Sequence, residues 1–296
     1  MSEVTLVVDA RNELGEGPVW SPRHRMLFWT DIQGRALWRH EPATGRTELA
    51  PLPQRLGCYA LTADGGALGA FADGLRPFDP LTGAAGALIP VEADRPTTRF
   101  NDGRTDRQGR LVAGTLNESA DREPIAAVYR VDADLGVTRL FGGVRIANGL
   151  CFSPDGRTLY FADTILGTLD AFDYDPATGT PSNRRTLVAK GALPGGPDGA
   201  VVDAEGFIWN ARFGGGCIAR IAPDGRIDRV VAMPVSQPTC PAFGGDDLET
   251  LYVTTAWEGM DAAARAAEPQ AGGLFAFTPG VRGLPEPLFA GRGLAA

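Results

Sequence analysis

Short apolar-rich runs recur along the whole chain, among them VTLVVDA at 4–10, RTLYFAD at 157–163 and ETLYVTT at 249–255. Runs of this length, rich in β-branched and aromatic residues, predict strands. Between them lie clusters in which Pro, Asp and Gly preset turn dihedrals: EPATGR at 41–46, DPLTGA at 79–84, DPATGT at 175–180, and PDGR at 154–157 and 223–226. A strand-turn-strand unit returns six times. With His24, Gly65, Gly109, Gly156 and Gly206 as turn residues, the position eight places earlier is Glu16, Gly57, Asn101, Asn148 and Asp198. Laying ETLYVTT on RTLYFAD puts Cys240 in the sixth copy of that slot. Consecutive slots are 41 to 50 residues apart, the period of a β-propeller blade.

The reading is therefore an all-β, six-bladed β-propeller. After each inner strand come three more, as in TLYFADT, GTLDAFDYDP and RRTLVAKG. The run at 4–10 precedes the first slot and is expected at the outer edge of the last blade, closing the ring and leaving no long open edge. No linker or composition break divides the chain, so residues 1–296 are expected to form one domain. In a propeller every inner strand runs along the central channel in the same sense. The slots should then ring one level of that channel.

Composition narrows the chemistry. The net charge is −8, and 27 of the 28 basic residues are arginines spread over every repeat, Lys190 being the exception. No basic stripe offers itself to nucleic acid or to an anionic membrane. The N-terminus lacks a basic start followed by an apolar stretch, so a cytoplasmic protein, monomeric or weakly self-associating, is expected. Cys58, Cys151, Cys217 and Cys240 show no zinc spacing and read as small buried hydrophobes. The two histidines, His24 at a turn and His40 on a third strand, lie away from the slots, which argues against a histidine triad or histidine-ligated zinc. No nucleophile elbow, phosphate loop or dinucleotide motif is present. DADLG at 132–136 resembles the start of a calcium loop but lacks the third acidic position and the terminal Glu, and reads as a turn. The glycines of FGGGC at 213–217 are expected to bend a blade or admit a close backbone approach.

Oxygen chemistry remains. Glu16, Asn148 and Asp198 supply two carboxylates and an amide carbonyl at one level, a hard set suited to Ca²⁺, Mg²⁺ or Mn²⁺ with water completing the shell. Asn-Gly and Asp-Gly are ordinary turn formers, but Glu16 has no such preference and occupies the same register. Asn101 shares the slot level, and Arg99, two residues earlier, should face the same way. Both are assigned to the substrate side of the ion. Asp102 is expected to support its loop, and Asp31 and Asp163, at the ends of second strands, to tie nearby backbone N–H groups.

LGEGPVW at 14–20, RFNDGRTDRQGRLVAGT at 99–115, IANGLCFSPDGRTLYFADT at 146–164 and PDGAVVDAEGFIWNA at 197–211 together resemble the regucalcin (senescence marker protein) and gluconolactonase family of six-bladed propellers. The likeness spans almost the whole chain. It implies one divalent metal ion on Glu16, Asn148 and Asp198, Ca²⁺ first with Mg²⁺, Mn²⁺, Zn²⁺ or Fe²⁺ as alternatives, and a sugar lactone against Arg99 and Asn101. Glu118 lies where some members place a further substrate-contacting acid. FGGGC and the insert at 256–273 are expected to rim the mouth.

The function expected is metal-dependent hydrolysis of an aldonolactone to the aldonic acid in carbohydrate catabolism, the base being Asp198 or a hydroxide on the ion. Two alternatives stand beside it: a phosphotriester-type esterase using the same pocket, and a calcium-binding regulatory propeller without turnover.

Overall fold

The computed structural model describes residues 2–293. Its strands form six four-stranded antiparallel sheets, the blades of a propeller. The inner strands are Gly15–Ser21, Leu56–Leu61, Thr98–Thr105, Ala147–Phe152, Gly196–Val202 and Pro238–Gly244. Each touches the inner strands on either side of it, and the sixth touches the first, so the ring closes. The slots at Glu16, Gly57, Asn101, Asn148, Asp198 and Cys240 all fall on these six strands.

Closure of the last blade uses both ends of the chain. Thr5–Val8 pairs with Leu274–Phe277, with Thr5 opposite Ala276 and Leu6 opposite Phe275, so the first strand is the outer strand of blade 6. Second strands are apolar on both faces because every blade is covered by two neighbours. Thus Leu159 and Phe161 pack toward blade 3 with Val112 and Val128, whereas Tyr160 and Ala162 pack toward blade 5 with Ile208 and Ala219. The core is a ring of slabs between adjacent blades, including Trp20, Trp29 and Tyr252 between blades 6 and 1.

Two devices set the slots in register. The first is a pair of carboxylate clamps, as anticipated for Asp31 and Asp163. Asp31 accepts N–H bonds from Glu13, Leu14 and Gly34, and Asp163 from Arg145, Ile146, Ile165 and Leu166. Each clamp fixes the chain just before its slot. The second device was not visible in the repeat: the pairing of every inner strand shifts at or next to its slot, as between Glu16 and Val19 and between Asn148 and Cys151. Such bulges bend a strand and re-aim its side chains. Gly17 and Gly149 carry φ of 54° and 63° there, a conformation in which a Cβ is strained.

Asp102 does more than support its own loop. It accepts from Gly103 N and also from Leu150 N on the next blade, at 2.9 Å, tying blades 3 and 4 together. DADLG is a turn, with Leu135 at φ 68°. In FGGGC, Pro194 O comes so close to Gly215 that an added Cβ would lie 2.6 Å from it. All four cysteines are buried and unpaired with one another. The insert at 256–273 contains the short helix Ala262–Ala267, capped by Asp261. No helix among the described residues is long and apolar enough to cross a membrane.

At the opposite end of the channel the C-terminal segment crosses the ring, bridging Gly283 to Asp203 and Phe289 to Thr62. Beneath it Arg104 reaches across the channel from blade 3 to Ala200 O on blade 5 and pairs with Glu286, Nη1 to Oε2 at 2.9 Å.

Candidate active site and metal centre

The N-terminal halves of the inner strands open into a cavity of about 220 Å³ whose wall includes Glu16, Arg99, Asn101, Glu118, Asn148 and Asp198. The structure thus brings together every residue selected from the sequence. Glu16, Asn148 and Asp198 are each at least 93% buried. The nearest donor to Glu16 is the Gly17 backbone N–H, at 3.1 Å, and among the described residues neither carboxylate has a cationic hydrogen-bond partner.

Burial therefore pushes both acids up. The Glu16 carboxyl rises to about 8 through burial and the repulsion of Asp102, against small opposing contributions from Gly17 and Arg99. Asp198 is held well above the ordinary carboxylate range by burial, then by Glu16 and Asp102.

Asn148 is aimed by its neighbours. Its Nδ2 donates to Thr164 Oγ1 at 2.8 Å, and Thr164 donates to Pro197 O at 2.9 Å, which leaves Asn148 Oδ1 as the outward group. That oxygen already accepts from Asn101 Nδ2 at 3.2 Å and retains one lone pair. Among the described residues no three Asp, Glu, His or Cys side chains converge as a cage. The donor set is instead two acids and an amide. Two buried carboxyl groups whose ionised forms lack a protein cation, beside an oriented amide oxygen, fit a hard divalent cation.

The second half of the wall is cationic. Arg99, 5% exposed, donates from Nη1 to Phe100 O and Asn101 Oδ1 and from Nε to Glu118 Oε1. Its Nη2 has no partner among the described residues. Asn101 also donates to Ala147 O, so it braces Arg99 on one side and Asn148 on the other. Glu118 is gripped by Arg55 through two bonds of 2.7 and 2.8 Å as well as by Arg99. Burial alone would raise its carboxyl, and the two arginines more than reverse this, holding it below the ordinary range.

Gln33 and Thr164 escaped the sequence reading, whereas Phe213 and Glu258 belong to FGGGC and the 256–273 insert, the two segments expected to rim the mouth. Gln33, Thr164 and Glu258 stand in the loops that leave second strands, as Glu118 does, and Phe213 is the last residue of one; together they form a second ring above the slots. Blade 2 contributes none, because its second and third strands, Ala67–Phe71 and Gly74–Phe78, join through two residues. On that side Arg55, just before the inner strand of blade 2, reaches Glu118 instead. The signal was present as chemistry-bearing residues just past each second strand, but loop lengths differ and no fixed spacing marks them. A larger groove of about 420 Å³ beside the short helix holds a single carboxylate, Glu268, already bonded to Ser236, and offers no convergent oxygen set.

The chain belongs to the SMP-30/gluconolactonase/LRE-like family, whose description matches residues 14–257. The L-arabinolactonase of Azospirillum brasilense is 41% identical over 98% of this chain and 96% of its own. The 6-deoxy-6-sulfogluconolactonase of Pseudomonas putida is 40% identical over 96% of this chain and 98% of its own. Among solved structures, a calcium-binding protein, regucalcin, from Agrobacterium tumefaciens superposes with a TM-score of 0.90 at 37% identity, covering 96% of each chain.

Proposed function

We propose that this protein is a sugar lactonase that opens an aldonolactone to the aldonic acid, with one divalent cation held by Glu16, Asn148 and Asp198. The observation that carries the reading is the meeting, in one cavity, of two buried carboxylates lacking a protein cation with an oriented amide oxygen and a partly unengaged guanidinium. The lactonase names of two relatives at 40 and 41% identity support the substrate class. Calcium is the first choice of ion, from the all-oxygen set and from the calcium-binding solved relative.

When bound, the cation supplies Lewis acidity that polarises the lactone carbonyl and offsets the negative charge developing on its oxygen. The chain's own residues do the rest. Arg99, held in one orientation by Asn101 and Glu118, directs Nη2 at a substrate oxygen. Asn101 belongs to the same substrate-side group and keeps Asn148 and Arg99 at fixed separation. Glu118, kept ionised by its arginines, accepts from a sugar hydroxyl. Asp198 takes a proton from the water that attacks the carbonyl carbon. It returns that proton to the ring oxygen as the C–O bond breaks.

The test is a panel of five- and six-membered aldonolactones run beside a phosphotriester, with metal analysis of the purified protein. Lactone turnover that disappears with chelator and returns with Ca²⁺, Mg²⁺ or Mn²⁺ is the expected outcome. Faster phosphotriester cleavage would move the assignment to an esterase of that kind, and bound metal with no lactone opened would leave a calcium-binding protein without turnover.

A further inference from the structure

Glu258 and Gln33 are a pair that the catalytic scheme leaves unused. They come from different blades: Glu258 opens the insert after the second strand of blade 6, and Gln33 follows the second strand of blade 1. Both line the cavity, on the wall that carries neither Arg99 nor Asn101. Gln33 Nε2 donates to Glu258 Oε1 at 2.5 Å. Backbone bonds hold Glu258 as well, its N–H and that of Trp257 both donating to Glu13 O at 2.9 and 3.1 Å. Gln33 in turn accepts from Arg55 Nη1 at 3.5 Å, the residue that grips Glu118. Glu258 Oε2 has no hydrogen-bond partner among the described residues, and Glu258 lines the cavity.

A fixed carboxylate with an unused oxygen, backed by an amide and facing a cavity, can only accept. It favours ligand groups that donate, which in a lactone means hydroxyls. It disfavours anionic substituents and gives nothing to a bare alkyl ring. We propose that Glu258, positioned by Gln33, is the specificity residue that reads hydroxyls of the sugar ring or its side chain away from the scissile carbonyl. This rests on the lactonase reading for the identity of the ring. The insert that carries Glu258 is then a selectivity element of the pocket.

The test compares two lactones of one ring size, a polyhydroxylated aldonolactone and its unsubstituted counterpart, in wild type, Glu258→Ala, Glu258→Gln and Gln33→Ala. The ratio of kcat/KM for the hydroxylated over the unsubstituted lactone should fall about tenfold in Glu258→Ala, the loss typical of one hydrogen bond to a charged group. It should fall less in Glu258→Gln, which keeps one acceptor oxygen, and least in Gln33→Ala. An unchanged ratio, or equal loss on both lactones, would overturn the proposal. Calorimetric binding of the matching pair of lactams reads the same ratio without turnover. Failure of wild type to open any lactone would therefore count against the lactonase reading, while an unaltered lactam ratio in Glu258→Ala would count against the hydroxyl-reading role.

Discussion

The two ends of the channel treat buried charge in opposite ways. At the C-terminal end of the inner strands Arg104 is met by Glu286 at 2.9 Å and by Ala200 O at 3.0 Å. Burial alone would lower its pKa, and anionic neighbours, Glu286 foremost, raise it instead. At the other end Glu16 and Asp198 face each other with backbone donors only. A buried charge without a partner costs several kcal/mol. One end therefore answers its buried charge from within the chain, while the other leaves two buried carboxyl groups without a cationic partner, which is where the proposed ion would sit. The lesson is that residue burial alone does not mark a functional site; the failure to neutralise it does.

Substitutions at each end should separate these roles. The largest effect is expected for Asp198→Asn, which removes one of the two proposed carboxylate ligands and the candidate base together. Lactonase kcat/KM should fall roughly thousandfold or more, about 4 kcal/mol, and bound metal measured by emission spectroscopy should drop in step. Near-normal turnover in this variant would erase the contrast.

Next in size is Glu286→Gln, which strands Arg104. Stability measured by denaturant unfolding should fall by about 3 kcal/mol, whereas metal content and KM stay near wild type. Loss of metal in this variant would mean that the ends are coupled.

Arg99→Ala should cost about tenfold in kcat/KM, near 1.4 kcal/mol, with metal retained, because all three proposed ligands remain. Loss of metal there would put Arg99 on the wrong side of the ion. The smallest effect is expected for Arg55→Ala, which loosens Glu118 through a partly exposed contact worth under about 1 kcal/mol. KM should rise a few-fold with kcat unchanged, and Arg55→Lys should recover part of the loss. A fall in kcat with KM unchanged would show that Arg55 acts on the chemistry and not on the placement of Glu118.

How far the sequence could be read differs from residue to residue. Glu16, Asn148 and Asp198 were legible because a repeating blade places equal registers at equal heights, so a linear period becomes a ring. Arg99 followed from the two-residue alternation of a strand, and its hydrogen bond to Asn101 bears out that shared facing. Glu118 was reachable only through the family resemblance, since nothing local distinguishes it from any other loop acid. Gln33 and Glu258, 225 residues apart, carry no shared spacing at all. Neither does Glu286, which meets Arg104 across 182 residues.

By itself, then, the sequence determined the all-β composition of the chain, its six repeats and the chemistry available at each inner-strand slot, because strand alternation and turn residues are local and repeat with the blade. The tertiary structure alone decided which charges would be answered. Closure of the ring sets residues from distant loops against one another, and the bulge in every inner strand sets the final direction of each slot side chain. Neither depends on local propensity: loop contacts are determined by where six packed blades bring their ends, and a bulge by the fit of each inner strand against its neighbours.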